Sequence, residues 1–171
     1  MPAQDRAGAR SALLAALTGA GLEFDEVGDH RWTTMLSGEW KRTIPVLLEL
    51  GDRRLELTSL FTGVLDEGHE EVYRFLLERN QRSGLIHFAL DDAGDIVLTG
   101  TVPIAAVDET LVGELLGRLL ETADDTFNRV LRTGFATYLG AEQRWREGAG
   151  LPANPVGDPE TDPAGDRDGR H

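Results

Sequence analysis

Cysteine is absent from the 171 residues, and lysine occurs once, at Lys41. The absence of cysteine excludes disulfide bonds, thiolate catalysis and zinc sites built on cysteine. Hydrophobic residues make up 40% of the chain and charged residues 27%, which is typical of a globular protein. The length predicts one domain with a sizeable core, because it is too short for two ordinary domains.

Positive charge is scarce as well. The chain has 17 lysines and arginines against 30 aspartates and glutamates, a formal net charge of -13. Such a surface repels nucleic acid and anionic lipid, so we expect neither as a partner. No stretch reaches about 18 consecutive apolar residues, and the N-terminal segment predicts an amphipathic helix in place of a secretory signal. We therefore expect a cytoplasmic protein with no membrane partner.

The C-terminal segment differs from the rest of the chain in composition. Residues 148–171 hold four of the seven prolines and few apolar residues. Such a segment buries too little surface to offset the entropy of ordering. We predict a disordered acidic tail over 148–171, after a single domain over 1–147.

The body of the chain alternates between helical and strand periodicity. Helical spacing of apolar residues predicts helices over 6–20, 68–84 and 106–140, and Gly134 could fray or bend the end of the last one. Period-two alternation predicts strands, which cover 30–36, 40–50, 55–61, 85–90 and 95–104. Short turns join neighbouring strands, so we expect an antiparallel five-stranded sheet. The order α-β-β-β-α-β-β-α predicts an α+β fold with helices on one face of the sheet.

Three aspartates, Asp91, Asp92 and Asp95, lie between two predicted strands and could form a cation site or a turn. Gly94 supplies the positive φ that a short hairpin loop needs, and Asp92 can bond to the backbone two residues on. The spacing and the flanking helices of a calcium EF-hand are missing. The pattern favours a turn, and we predict no metal ion and no cofactor.

Catalytic motifs are not evident in the sequence. No H-E-x-x-H, G-x-S-x-G or G-K-[ST] pattern occurs. His87 lies in a predicted strand and could be a base or a ligand, but an exposed or hydrogen-bonded histidine is more common there. Asp124 and Asp125 could bind a cation, although neighbouring like charges on a helix are usually a solvated face. We predict no enzymatic activity. The alternative is a small-ligand binder or enzyme that uses scattered carboxylates and His87.

Three aromatic residues are candidates for a partner or dimer surface: Trp32, Trp40 and Phe61. Trp40 shares the predicted strand face of Ile44 and Val46, so a core position is its ordinary interpretation. A tryptophan left on an open sheet face would be a strong anchor, because its ring buries a large area against a partner.

The segment from Val72 to Leu139 resembles the YbjN family. The matching features are the helix end LERNQ, a strand ending in aspartate, a short glycine turn, the strand IVL followed by GTVP, and a leucine-rich helix containing DDTF. The first half matches by element order only. The resemblance implies a fold similar to that of type III secretion chaperones, commonly dimeric, without a cofactor or a known active site. It carries over no catalytic residue.

Together, these features predict a non-enzymatic protein-binding module, chaperone-like or a regulatory adaptor, that forms a homodimer. One sheet face would be covered by helices. The other face, or a helix groove, would take an extended or helical segment of a protein partner. The expected mark of such a site is an exposed apolar patch on the order of a few hundred Å² or more.

Overall fold

The computed structural model describes residues 2–157, with the side chains of residues 6–157. Within that range the chain forms four α-helices and six β-strands. In chain order these are α1 (Pro2–Gly19), β1 (Phe24–Gly28), β2 (Arg31–Leu36), β3 (Ile44–Leu50), β4 (Arg54–Thr62), α2 (His69–Asn80), β5 (Ile86–Leu90), β6 (Ile96–Pro103), α3 (Glu109–Gly134) and α4 (Ala136–Gly148). None of the helices within residues 2–157 has the length and apolar character needed to span a membrane.

The strands form one antiparallel sheet with the order β1-β2-β3-β4-β6-β5. The predicted α+β class and antiparallel sheet are confirmed, but the described sheet has six strands and not five. The additional strand is β1, which pairs with β2 so that Phe24 lies opposite Thr34. The prediction missed β1 because its sequence, FDEVG, has one half-buried residue followed by four exposed ones and so lacks apolar alternation.

The core lies between the helices and one face of the sheet, which we call the inner face. Buried and half-buried positions alternate along β3. Leu48 of β3 lies in register with Trp32 of β2 and Leu57 of β4, and all three side chains are fully buried. Leu13 of α1 and Leu115 of α3 belong to the same hydrophobic cluster. Burial of these side chains on one face is the main source of stability that the sequence pattern encodes.

The opposite face of the sheet, the outer face, is only partly covered. Its side chains occupy the alternate positions of the strands. Met35 of β2 is 52% exposed, and Leu60 of β4 is 45% exposed. The apolar residues of α1 and α3 are committed to the inner face, and these two helices pack against each other there. The helices therefore leave these apolar side chains of the outer face exposed.

The helix predicted over 106–140 is interrupted and forms α3 and α4, with the break at Phe135. The loop between β4 and α2 packs into the break. The backbone N–H groups of Asp66 and Glu67 donate hydrogen bonds to the carbonyl oxygen of Gly134, at 3.0 and 3.1 Å. A Cβ atom at Gly134 would lie 2.5 Å from Leu65 Cδ2, so an alanine there would force the buried Leu65 side chain to shift. The bend expected at Gly134 is present, but the full interruption depends on a loop distant in sequence, which helical periodicity does not report.

The carboxylate of Glu67 caps the first turn of α4. Its Oε1 accepts a hydrogen bond of 2.7 Å from the backbone N–H of Thr137. This bond lowers the pKa of Glu67 from its ordinary value of 4.5. Because the folded pKa is the lower one, the stabilisation of α4 is fully present above the unfolded pKa and is lost as the pH falls through the folded pKa. We expect the hydrogen-exchange protection of the α4 amides, relative to that of the α2 amides, to decrease as the pH is lowered below the ordinary value of 4.5.

The matched variant for this prediction is Glu67→Gln, which keeps an acceptor oxygen but does not titrate. Its α4 protection, measured relative to α2, should be weaker than that of the wild type at neutral pH and should not change further on acidification. If the wild type and the variant show the same pH dependence, Glu67 is not the group that controls the α4 N-terminus.

Residues 149–157 fold back along α4. The backbone N–H of Asn154 donates a hydrogen bond of 3.1 Å to Oε1 of Gln143. The first part of the segment predicted to be disordered, 148–171, is thus attached to the domain by polar contacts. Residues 158–171 lie outside the described residues. Composition alone did not predict the attachment, because it counts apolar residues and not the polar partners that α4 supplies.

Candidate functional site

Two of the three aromatic residues predicted for a partner surface lie in the core. Trp32 is 0% exposed and Phe61 is 2% exposed. The guanidinium of Arg10 in α1 lies 5.6 Å from the centre of the Trp32 ring, and the ring of Phe61 meets that of Phe88 edge to face at 5.1 Å. Neither ring can reach a partner while the domain is folded. The correction has a simple reason: alternation shows which residues share a sheet face, but not which face the helices cover.

The third aromatic residue, Trp40, is half-buried in the loop that joins β2 to β3. The carboxylate of Asp124 in α3 holds this loop. It accepts hydrogen bonds from the backbone N–H groups of Glu39, Trp40 and Lys41, at 3.0, 2.8 and 2.8 Å. Partial burial lowers the pKa of the Lys41 ammonium, which lies 5.1 Å from the ring of Phe127. A surface role for Trp40 stays a prediction.

The carboxylate pair of α3 is not the solvated face that its spacing suggested. Asp125 is 8% exposed and forms an ion pair with Arg79 of α2, with 3.3 Å between Oδ2 and Nη2. Its neighbour Asp124 binds the loop before β3. The two carboxylates thus attach α3 to two different elements, and both have structural partners.

The turn predicted between β5 and β6 is confirmed. The backbone N–H of Asp91 donates to the carbonyl oxygen of Asp95 at 3.0 Å, and Gly94 has φ +85°. The side-chain acceptor is Asp91 and not Asp92 as expected, because Asp91 Oδ1 accepts from the backbone N–H groups of Ala93 and Asp95, both at 2.9 Å. Among residues 2–157, no three His, Asp or Glu side chains are grouped so that they could hold a metal ion.

His87, the candidate base of the alternative hypothesis, is exposed on β5 opposite Thr99 of β6. It belongs to no metal-binding group of side chains in the part of the chain that the structure describes. His87 is also absent from the lining of the groove on the outer face of the sheet, which does contain carboxylates.

A groove of about 800 Å³ crosses the outer face of the sheet. Its lining comes from β1, β2, β3, β4 and β6 and from the turn between β5 and β6. Apolar side chains form its floor: Met35, Pro45, Leu47, Leu60 and Val97. We call this feature the outer groove. Contiguous apolar side chains that a folded chain leaves uncovered are typical of an interaction site.

Carboxylates lie at both ends of the outer groove. Glu23 and Asp25 are at the end near β1, and Asp91 and Asp95 are at the end formed by the β5–β6 turn. The backbone on both sides is fixed: the carbonyl oxygen of Glu23 accepts a 2.7 Å hydrogen bond from Thr34 Oγ1, and the turn bonds hold Asp91. Among the described residues, no lysine, arginine or histidine lines the groove. It is therefore apolar in the middle and negative at both ends.

A second apolar surface lies where α2 meets β5. We define this edge patch by Tyr73, Leu77 and Leu90, which line a depression of about 210 Å³. Leu77 is 67% exposed and Leu90 is 51% exposed. β5 is an edge strand of the described sheet. Its outward backbone is partly occupied, because the side-chain amide of Asn80 donates to the carbonyl oxygen of Phe88 at 3.0 Å and accepts from the Phe88 N–H at 2.7 Å. The edge patch therefore offers apolar side chains to a second chain, and little free backbone.

The antiparallel sheet of this chain has helices on one face and leaves the other face open. This architecture places the chain in the class of α+β chaperone-like folds. One chain of the structure named as the HopA1-SchA chaperone-effector complex superposes with a TM-score of 0.55 and 14% identity, over 70% of this chain and 93% of that chain. The chain belongs to the YbjN family, described as "Putative bacterial sensory transduction regulator", whose model matches residues 9–132. The predicted family and its chaperone-like fold are confirmed.

Two mycobacterial relatives extend this result. An uncharacterized protein of Mycobacterium tuberculosis is 39% identical over 111 residues, which are 65% of this chain and 61% of that protein. An uncharacterized protein of Mycobacterium leprae is 35% identical over 134 residues, or 77% of this chain and 73% of that one. The match thus spans less than two thirds of the M. tuberculosis relative. α4 lies beyond the residues that the family model matches.

Proposed function

We propose that this YbjN-family chain is a cytoplasmic, non-enzymatic, chaperone-like module that receives a segment of a partner protein in the outer groove. The observation that carries the proposal is the apolar floor, where Met35 and Leu60 are about half exposed although they sit in the middle of a folded sheet. Covering such side chains releases water and favours association. The fold shared with a chain from a chaperone–effector complex supports a role in binding protein.

Replacing Leu60 by aspartate is expected to reduce the amount of captured partner at least about ten-fold, because a leucine buried on binding contributes about 1.5–3 kcal/mol and 1.4 kcal/mol corresponds to ten-fold. The measurement is affinity capture from a lysate of the organism that encodes the chain, with quantitative mass spectrometry. Leu151→Asp is the matched control, since Leu151 is also 45% exposed but lies outside the groove. Equal recovery of every captured protein with Leu60→Asp and wild type would contradict the proposal.

We also propose that the chain forms a homodimer through the edge patch. A two-fold axis would bring the exposed side chains of Leu77 and Leu90 of one chain against the same side chains of the other, so each residue would contribute to the interface twice. Leu77→Asp is therefore expected to raise the dimer dissociation constant about 100-fold, since it places two desolvated charges in one interface. Sedimentation equilibrium of the wild type and the variant measures this effect. A wild-type mass of one chain at every concentration would exclude the dimer.

A further inference from the structure

We propose that the occupant of the outer groove is a basic amphipathic α-helix of the partner protein. This inference deepens the proposed function and rests on it. The outer groove then serves as the docking face for a helix that completes a third layer over the sheet, with leucine-like side chains on the floor and lysine or arginine side chains at both ends.

The backbone of the groove floor favours a helix over an extended strand. β2, β3, β4 and β6 each lie between two hydrogen-bonded neighbours in the sheet. Their N–H and C=O groups are used in the ladder, so they have little to offer an incoming backbone. An extended segment pressed onto the floor would leave its own inward backbone groups without partners, which is costly. A helix satisfies these groups internally and buries only side chains. Strand addition needs a free sheet edge, and the floor of the groove has none.

The size of the groove sets the length of the helix. The lining extends from β1 to β6, which is four interstrand steps. At about 4.8 Å a step this distance is about 19 Å. A helix of about 13 residues covers it at 1.5 Å per residue. Such a helix presents one apolar stripe, with residues at i, i+3, i+4 and i+7, which suits the single apolar floor.

The charge of the groove sets the polar residues of the helix. Asp25 and Asp95 lie near opposite ends of the lining, with Glu23 and Asp91 beside them, and the part of the chain that the structure describes contributes no basic side chain there. An acidic helix would be repelled, and a neutral one would leave the carboxylates uncompensated. A helix that carries lysine or arginine beside its apolar stripe matches both features, and its association should be faster at low salt.

The chain's own α4 is a weaker occupant than a partner helix. It has 13 residues and exposes Tyr138 and Trp145, but it carries two arginines and two glutamates and so no net positive charge. Docking of α4 from a second copy would not neutralise the charge of the four carboxylates of the groove. The charge of the lining thus favours a different, basic protein segment.

The test uses the full chain and three synthetic fluorescein-labelled peptides of about 14 residues. The first has leucine at i, i+3, i+4 and i+7 and lysine at the remaining positions. The second replaces lysine by glutamate. The third has the sequence of the first, except that two central residues are changed to proline, which prevents helix formation. Fluorescence anisotropy should give a dissociation constant at least ten-fold lower for the lysine helix than for either control peptide.

Chain variants locate the binding site. Leu60→Asp should weaken binding of the lysine helix at least ten-fold, although it adds a negative charge that would strengthen non-specific attraction. Met35→Asp, on the neighbouring exposed floor position, provides the second floor variant. The double change Asp25→Asn and Asp95→Asn should weaken binding several-fold and flatten its salt dependence. The matched double change Glu78→Gln and Glu114→Gln, on exposed helix positions, should not.

The outcomes separate the two proposals. The occupant is not a basic helix if the glutamate helix binds as well as the lysine helix, or if the proline peptide binds more tightly than the lysine helix. If Leu60→Asp abolishes that binding, the groove is still a protein-binding site. Binding of the lysine helix that is indifferent to both floor variants overturns the inference as well. Failure of the proposed function has a separate sign, which is unchanged capture of natural partners by Leu60→Asp.

Discussion

Replacing Trp32 by alanine is expected to lower the free energy of unfolding by about 3–5 kcal/mol. The side chain is fully buried on the inner face, in register with Leu48. Its removal takes away the largest side chain of the core and leaves a cavity that the surrounding helices and strands fill only in part. Since domains of this size are stable by about 5–15 kcal/mol, the loss is a large share of the total. Urea unfolding followed by circular dichroism measures it.

Two further tryptophan variants sharpen this test. Trp145 is 64% exposed on α4, so Trp145→Ala should change the free energy of unfolding by less than about 0.5 kcal/mol. Trp32→Phe should cost less than Trp32→Ala, because it keeps a ring and removes an indole Nε1 that has no hydrogen-bond partner among the described residues. If Trp32→Ala left the unfolding midpoint unchanged and weakened partner capture instead, Trp32 would be a surface anchor after all.

Replacing Asp124 by alanine is expected to destabilise the chain by about 2–3 kcal/mol. The carboxylate accepts three backbone hydrogen bonds, at 2.8 to 3.0 Å, from the loop that carries Trp40. A hydrogen bond to a charged group contributes about 1.5–3 kcal/mol, but the site is partly exposed, so the three do not add in full. The loss should appear as a lower melting temperature and as a red shift of Trp40 fluorescence, because the released loop exposes that ring to water.

The geometry of the loop supplies matched controls. Asp124→Asn keeps one acceptor oxygen and should lose less stability than Asp124→Ala. Glu114→Ala, at an exposed position of the same helix, should have little effect. Gly38→Ala should act like the removal of the carboxylate, because its Cβ atom would lie 2.2 Å from Asp124 Oδ1. A stability of Asp124→Ala equal to that of the wild type would show that water replaces the carboxylate without loss.

The sequence predicted best those helices and strands in which apolar residues recur with a clear helical or strand period. The helix predicted over 68–84 is α2, His69–Asn80, and the strand predicted over 55–61 is β4, Arg54–Thr62. The turn between β5 and β6 was predicted because aspartate and glycine carry their turn preference in any context. β1 was missed because its residues are mostly exposed. A bend at Gly134 was expected, but the division of the last helix into α3 and α4 was not, because a loop distant in sequence causes it.

The candidate site was harder to predict than the fold. The aromatic residues Trp32 and Phe61 were expected on a partner surface, but the exposed residues are their strand neighbours of opposite parity. Met35 is three positions from Trp32, and Leu60 is adjacent to Phe61. The sequence did contain a signal for this exposed apolar surface, because β2 and β4 carry apolar residues on both faces. A sheet with one solvated face should carry polar residues on that face.

Periodicity, turn residues and composition act locally, and they were sufficient for most helices and strands, the antiparallel pairing, the acidic charge and the resemblance to the YbjN family, but not for β1 or α4. The sheet face that the helices cover and the set of carboxylates that share a groove depend on contacts between distant parts of the chain. Asp25 and Asp95 are 70 positions apart in the chain and line the same groove because β-strand pairing, and not sequence proximity, sets their distance.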